Sequence, residues 1–357
     1  MTQPDQRLIK ASLAIIEAGQ TSEGAYLAAP NFPTYRYSWF RDGSFIATAM
    51  DDWGRTDSAA AFHQWVVSTL DRALSELGTV VPGPRLEAHQ RLHTRYRPDG
   101  SAGDEDWPNF QLDGFGTWLW AYGRHRQGAA RSLTDVERSV VRRLADYLCA
   151  VWSQPNFDCW EEHPELLHPS TLGALVAGIR AAASLLHDDA LNGVADTIRS
   201  FVLTHGVLDG SFVKDVGSTS VDANLLWLPL TYRVVPITDA LARGTIRRVR
   251  SELQDPDGGV KRYREDTFYG GGSWVLLTAA LAEAHLALGE QAEADRLLCW
   301  IEAQATPEGA LPEQVAQHLL APDRIQEWNV RWGKSACPLL WSHASYLSLS
   351  RRYQERV

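Results

Sequence analysis

The chain repeats one local pattern: apolar residues at three- and four-residue spacing, broken by turn residues, with almost no alternating apolar/polar runs. The spacing predicts helices over roughly 5–19, 42–53, 56–77, 112–127, 134–153, 169–186, 188–206, 219–231, 239–254, 273–288, 290–304 and 336–353. Cap residues precede the fifth (Ser132 to Asp135) and the ninth (Thr238 to Ala240). Pro155-Asn156, Asp255 to Gly259 and Thr306 to Gly309 punctuate the joins. No Ser/Gly linker, charge block or low-complexity segment divides the 357 residues, and 45% hydrophobic against 22% charged residues suffices for one large core. The predicted organisation is all-α, with residues 1–357 as a single domain.

The joins differ in length. Those near residues 187 and 289 are very short, whereas long segments precede helices two, four, six, ten and twelve. Those segments hold the unusual residues: Tyr35, Trp39, Arg41 and Asp42; then Trp107, Gln111 and Asp113; then Trp160, Glu161 and Glu162; then Arg262, Glu265, Asp266 and Phe268; and finally Glu313 and Gln314, followed by Trp328 and Trp332. If six helix pairs close into a ring, every second helix lines the inside and the loops entering those helices share one rim. Residues scattered along the chain then converge on one concavity, by the same logic that gathers loops on one face of a β/α barrel. There are 14 Trp against 2 Met, and flat rings suit the faces of sugars or bases.

A net charge of −10 argues against a nucleic-acid partner, which needs a basic surface. Cys149, Cys159, Cys299 and Cys337 form neither a CxxC pair nor a zinc spacing. There is no P-loop, HExxH, GxSxG or dinucleotide fingerprint. Gly270 to Gly272 reads as a packing device rather than a phosphate cradle. Asp255 to Gly259 reads as a turn rather than a calcium loop, and His163 and His168 as hydrogen-bonded loop residues. No metal or cofactor is expected. Residues 1–20 read as an amphipathic helix rather than a leader, and no run of about 18 uninterrupted apolar residues occurs, so the expectation is a cytoplasmic protein without a membrane partner. What remains is carboxylates among aromatics. Two carboxyls across a Trp-lined pocket are the equipment for glycoside cleavage, one protonating the leaving oxygen while the other activates water or attacks carbon.

Five stretches now carry a resemblance: Tyr35-x-Tyr-x-Trp39-x-Arg41-Asp42, Trp107-x-x-x-Gln111-x-Asp113-Gly114, Trp160-Glu161-Glu162, Arg262-Tyr-x-Glu265-Asp266-Thr-x-Tyr269-x-Gly-x-x-Trp274 and Pro312-Glu313-Gln314. In this order, from about Pro30 to Tyr346, they resemble glycoside hydrolase family 15, the glucoamylase-like enzymes, and most of all its small isomaltose-cleaving members. The resemblance implies an (α/α)6 barrel and an inverting, exo-acting α-glucosidase. It implies Glu161 as general acid, Glu313 as general base, and Tyr35 as the phenol beneath the sugar ring, a transition-state stabiliser. The two carboxyls are expected roughly 6.5–9.5 Å apart. Arg41 and Asp42 match the clamp on the terminal glucose, Glu162 and Arg262 further hydroxyl ligands, and Trp39, Trp107 and Trp160 the aromatic walls. Gln111, Asp113, Glu265, Asp266, Phe268 and Gln314 are expected to brace these groups from behind.

One departure stands out. Phe268 occupies a position where many members have Tyr, and the missing hydroxyl is expected to leave Tyr35 less firmly held. Larger members carry a β-sandwich or a starch-binding domain, which 357 residues do not accommodate; the expectation is a small imported oligosaccharide, isomaltose (α-1,6) before other linkages. Maltose or malto-oligosaccharide, dextran-end and trehalose hydrolysis remain open within the family. A non-catalytic sugar-binding barrel and a phosphorolytic enzyme stand as rivals outside it, both disfavoured by the presence of Glu161 together with Glu313.

Overall fold

The structure is a computed structural model, and it describes residues 2–77, 86–127 and 131–355. Thirteen helices occur among the described residues: α1 (Gln6–Ala18), α2 (Phe40–Asp52), α3 (Thr56–Leu77), α4 (Asp113–Arg126), α5 (Asp135–Val151), α6 (Pro169–Leu186), α7 (Ala190–His205), α8 (Trp227–Leu230), α9 (Ala240–Leu253), α10 (Val275–Leu288), α11 (Gln291–Ala303), α12 (Ile325–Trp332) and α13 (Leu340–Gln354). Helices α2, α4, α6, α8, α10 and α13 close an inner ring, each packed on the next, with α13 returning to α2. Helices α1, α3, α5, α7, α9 and α11 form the outer layer, so the architecture is the (α/α)6 barrel.

The two layers differ in sequence as their surroundings require. An inner helix is covered on every side, and α10 buries eleven of its fourteen residues. Helix α6 has the length and hydropathy of a membrane span, yet 72% of it is buried inside the barrel, which accounts for its composition. An outer helix such as α5 buries one stripe, including Val140, Val141, Leu144, Leu148 and Val151. It opens on a capping box in which Thr134 accepts from the Glu137 N–H, and the Asp239 side chain caps α9 by accepting from the Leu241 N–H.

Three elements depart from the expected set. The helix expected over 219–231 is a 3-10 turn, Ala223–Leu226, running into the single turn of α8. Residues 219–222 stay extended because the Asp222 side chain caps the turn, accepting from the Asn224 N–H, and Pro229 can donate nothing further on. Helix α12 lies in a stretch where no helix is expected, although Ile325, Trp328 and Trp332 repeat at i, i+3 and i+7. Helix α13 begins at Leu340 rather than 336, because Pro338 disfavours helical backbone at the residue before it.

Three short ribbons set the rim: β1 (Ser38–Trp39) with β2 (Arg95–Tyr96), β3 (Val207–Leu208) with β4 (Ser211–Phe212), and β5 (Ser273–Trp274) with β6 (Gln314–Val315). Strand β1 runs into α2 and β5 into α10, so both inner helices start beside a paired backbone. Across the lumen, Trp341 stacks on Phe45 at 5.1 Å and on Trp227 at 5.2 Å. This aromatic plug separates a pocket of about 660 Å³ at the N-terminal ends of the inner helices from a depression of about 1070 Å³ at their C-terminal ends.

The inner ring closes tightly at α4 and α6, where a Cβ on Gly178 would stand 2.3 Å from the Gly116 carbonyl oxygen. The obstacle is backbone, which cannot swing away. Gly178→Ala is therefore expected to cost about 1–3 kcal/mol in urea unfolding despite the better helix propensity of Ala; an unchanged midpoint would show that the two helices part freely.

Candidate active site

The loop between α5 and α6 shapes the first carboxyl. Asp158 Oδ1 accepts from the backbone N–H groups of Trp160 and Glu162, both at 2.9 Å, while the Glu161 N–H donates to the Asp158 carbonyl at 3.0 Å. The turn leaves Glu161 at φ +70°, a left-handed conformation that costs a non-glycine residue about 1–2 kcal/mol. Asp158 is anchored in turn by buried Lys214, whose Nζ lies 3.1 Å from both Asp158 and Asp222. Asp222 also accepts from the Trp160 indole N–H at 2.9 Å, so Trp160 is held at its backbone and at its ring. Burial opposes the Lys214 charge, but the two aspartates carry its pKa well above the ordinary value.

The Glu161 carboxyl points into the barrel mouth and accepts from Trp39 Nε1 at 2.7 Å and Gln111 Nε2 at 3.1 Å. Gln111 is oriented by Arg41, whose Nη1 donates to its side-chain oxygen and to Asp113, each at 3.0 Å. Burial raises the pKa of Glu161, with the Trp107 indole, the Arg41 charge and the N–H groups of Gln111 and Trp39 opposing. Asp42 lies 3.4 Å from Arg41 Nε in an ion pair, yet neither Arg41 Nε nor Asp42 Oδ2 makes a hydrogen bond. A buried donor beside a buried acceptor, both unfilled, suits a ligand with neighbouring hydroxyls. Burial pushes Asp42 up to about 6, with Arg41 opposing and Glu161 adding to the rise.

Glu313 lines the same pocket, immediately before β6. Its N–H donates to the Ala336 carbonyl at 2.8 Å, and Ser335 Oγ donates to its Oε2 at 3.3 Å. It is only 4% exposed, and burial pushes its pKa up to about 8 against the Arg262 charge and the Tyr35 and Ser335 hydroxyls. Arg262 forms a two-pronged pair with Asp266 and lies 3.5 Å from Glu162. Burial disfavours the Arg262 charge, but Asp266 and Glu162 hold its pKa well above the ordinary value. Glu162 also accepts from the Tyr263 hydroxyl.

Glu161, Glu313, Tyr35, Arg41, Asp42, Trp39, Trp107, Trp160, Glu162, Arg262 and Phe268 all line the one 660 Å³ pocket. Tyr35 couples its two sides: burial raises the phenol pKa well above normal, and both Glu313 and Glu161 add to the rise. Gln111, Asp113, Asp266 and Gln314 stand behind this lining, Gln314 donating to the Phe268 carbonyl at 2.9 Å. Glu265 does not join them. Arg262 and Asp266 turn inward as an i, i+4 pair, which sends Arg264 and Glu265 outward to a groove of about 1080 Å³ with Arg247 and Arg248. That groove is the larger cavity, but it lacks the aromatic lining and buried Glu313 of the 660 Å³ pocket. Tyr35 packs its ring on Phe32 at 4.7 Å and Trp39 at 5.8 Å, and its hydroxyl meets Glu313. His168 is a loop-fastening residue as expected, bonded to Asp215 and to the Asn156 carbonyl, each at 2.8 Å. Gly272 is packing backbone, since a Cβ there would stand 2.1 Å from the Val315 carbonyl oxygen.

Sequence reasoning missed several residues of the wall. Arg95 stacks on Trp107 at 3.9 Å and on Tyr37 at 4.1 Å, and pairs with Glu105. Trp341 was missed too, whereas Trp274, Trp328 and Trp332, which also line the pocket, lie in the stretches singled out in the sequence. Nothing local marks Arg95 or Lys214.

An aromatic pocket, blind at the Trp341 plug, lined by half-buried Glu161, buried Glu313 and a buried Arg–Asp pair, defines a hydrolase acting on carbohydrate ends. Comparison with known proteins agrees. Residues 6–300 match the family described as glycosyl hydrolases family 15. Over 356 residues, covering 96% of this chain and 91% of the relative, the sequence is 43% identical to the isomaltose glucohydrolase of Kribbella flavida. A solved wild-type glycosidase superposes with a TM-score of 0.92 at 41% identity, covering 97% of this chain and 96% of that one. A bacterial glucoamylase solved with acarbose shares the fold at TM-score 0.78 and 21% identity, over 98% of this chain and 55% of that one. The chain belongs to glycosyl hydrolase family 15 and is a glycoside hydrolase of the glucoamylase type.

The buried carboxyl of Glu313 carries a stability consequence independent of catalysis. Its folded pKa lies above the ordinary 4.5, so its contribution is fully present below that value and is lost as pH rises through about 8. Glu313→Gln should match the wild type in thermal stability near pH 4 and exceed it above pH 8, by on the order of 5 kcal/mol. A difference that does not change with pH would contradict the burial of this group.

Proposed function

We propose that residues 1–357 act as one catalytic barrel, an inverting exo-α-glucosidase that releases β-glucose from the non-reducing end of short α-glucosides, with isomaltose the favoured substrate. The observation that carries this reading is the pairing of Glu161 and Glu313 on one blind, aromatic-lined pocket. The blind floor favours a chain end over a chain middle, and the 43% identity to an isomaltose glucohydrolase favours the α-1,6 disaccharide.

In this mechanism the terminal glucose lies against the Trp341 plug, its hydroxyls taken by Arg41, Asp42, Glu162 and Arg262. Glu161, whose pKa desolvation raises, gives its proton to the glycosidic oxygen. Trp39 and Gln111 fix the carboxyl at one oxygen, Oε1. Glu313, once ionised, draws a proton from a water that attacks the anomeric carbon from the opposite face. The Tyr35 hydroxyl, bonded to Glu313 and within the field of Glu161, supports positive charge developing on the ring. A separation of roughly 6.5–9.5 Å between the carboxyls would leave room for that water.

Glu161→Gln and Glu313→Gln should each lower kcat by about 10³-fold or more while the fold is retained. Proton NMR of fresh digests should show β-glucose first, isomaltose should outrun maltose, nigerose, kojibiose and trehalose in kcat/KM, and glucose release should not require phosphate. The acidic limb of kcat/KM, set by ionisation of Glu313, should lie above pH 4.5. Initial α-glucose would overturn the inverting mechanism, and a mild effect at Glu313 would require another base.

A further inference from the structure

About 14 Å along α2 from Asp42, at the far end of the barrel, three side chains from three helices converge. Asp51 belongs to the last turn of α2, His125 to the last turn of α4, and His63 to the middle of α3. One ligand-type atom from each lies within 4.8 Å of the other two. The His125 and Asp51 side chains already meet at 2.9 Å, and the His63 and His125 rings lie 4.7 Å apart.

His63 is the anomaly. It is 2% exposed, and neither ring nitrogen makes a hydrogen bond. Buried polar atoms are normally satisfied, and an imidazole with two idle nitrogens beside a second imidazole and a carboxylate is missing a partner of its own. Packing does not supply one: its ring neighbours are Phe62, Tyr122 and His125.

We propose that Asp51, His63 and His125 form a binding site for a divalent transition-metal ion of the zinc type, clipping the inner helices α2 and α4 to the outer helix α3. Two imidazoles and a carboxylate are a zinc-class donor set, with a fourth position left for water. Ligand atoms around tetrahedral zinc stand about 3.4 Å apart, so closure from the present spacing needs only small side-chain rotations. The last turns of α2 and α4 also present the negative ends of their dipoles here, which favours a cation. Arg124 lies nearby, but its guanidinium is engaged by Asp52. Asp51 and His125 are half-buried and give an ion a path from solvent, whereas His63 forms the floor. The site lies apart from the glucoside pocket, so its role is structural.

The test uses the full chain stripped of metal with a chelator. Titration with Co²⁺ should give the visible absorption of a tetrahedral complex, saturating at one equivalent and displaced by Zn²⁺. Zn²⁺ should raise Tm by a few degrees. His125→Gln, Asp51→Asn and His63→Leu should each weaken Zn²⁺ affinity, measured by chelator competition, at least about tenfold, and should abolish the Tm rise. Metal-free wild type and His125→Gln should hydrolyse glucosides at similar rates, which also shows that the variant folds. Absence of both the Co²⁺ band and the Tm shift in the wild type, or equal Zn²⁺ affinity in wild type and His125→Gln, would overturn the site.

Discussion

The active site depends on a buried cation. Arg41 sits in the first turn of α2 with almost no solvent contact, and its guanidinium gathers Asp113, Gln111 and Asp42 around it. Burying such a charge costs several kcal/mol unless carboxylates and further hydrogen bonds surround it. Its burial therefore fixes α2 against α4 and, through Gln111, fixes the Glu161 carboxyl. Lys214 acts similarly in the layer behind, where it neutralises Asp158 and Asp222 and so stabilises the strained turn that presents Glu161. Glu161 is held by two buried cations, each occupied by aspartates rather than pairing with Glu161 itself.

That arrangement explains how two glutamates on one pocket come to have separate environments. Glu161 keeps donors on one oxygen and an opening into the cavity, whereas Glu313 is almost enclosed and meets chiefly hydroxyls, with Arg262 at longer range. Arg262 is committed to Asp266, which limits what it gives to Glu313. A carboxyl left so poorly compensated is destabilising in the empty pocket, a cost that active sites commonly carry.

Much of this was legible in the sequence because it follows from periodicity and loop length. Helices such as α5 and α10 repeat apolar residues at helical spacing between clear stop signals, and the long loops entering the inner helices placed Trp39, Glu161, Arg262 and Glu313 on one rim. The misses have physical causes. The segment 219–231 has helical composition, but Asp222 is drawn into the Lys214 network, a tertiary demand that no local window reports. Glu265 shares a motif with Asp266, yet the turn sends the two neighbouring side chains to opposite sides. Arg95 and Lys214 look like surface cations in sequence, and only the folded chain shows the aromatic and acidic partners that make their burial tolerable. The cluster of Asp51, His63 and His125 is invisible for the same reason, since its members come from three separate helices.

The central spatial claim is that one glucosyl unit lies between Glu161 and Glu313 over the Trp341 plug. A crystal structure of Glu161→Gln soaked with isomaltose measures this directly. The account predicts a terminal glucose with its hydroxyls on Arg41 and Asp42 and its anomeric carbon between positions 161 and 313. A disaccharide seated in the outer groove beside Arg247 and Arg264, or in the depression beyond the plug, with the rim pocket empty, would contradict it.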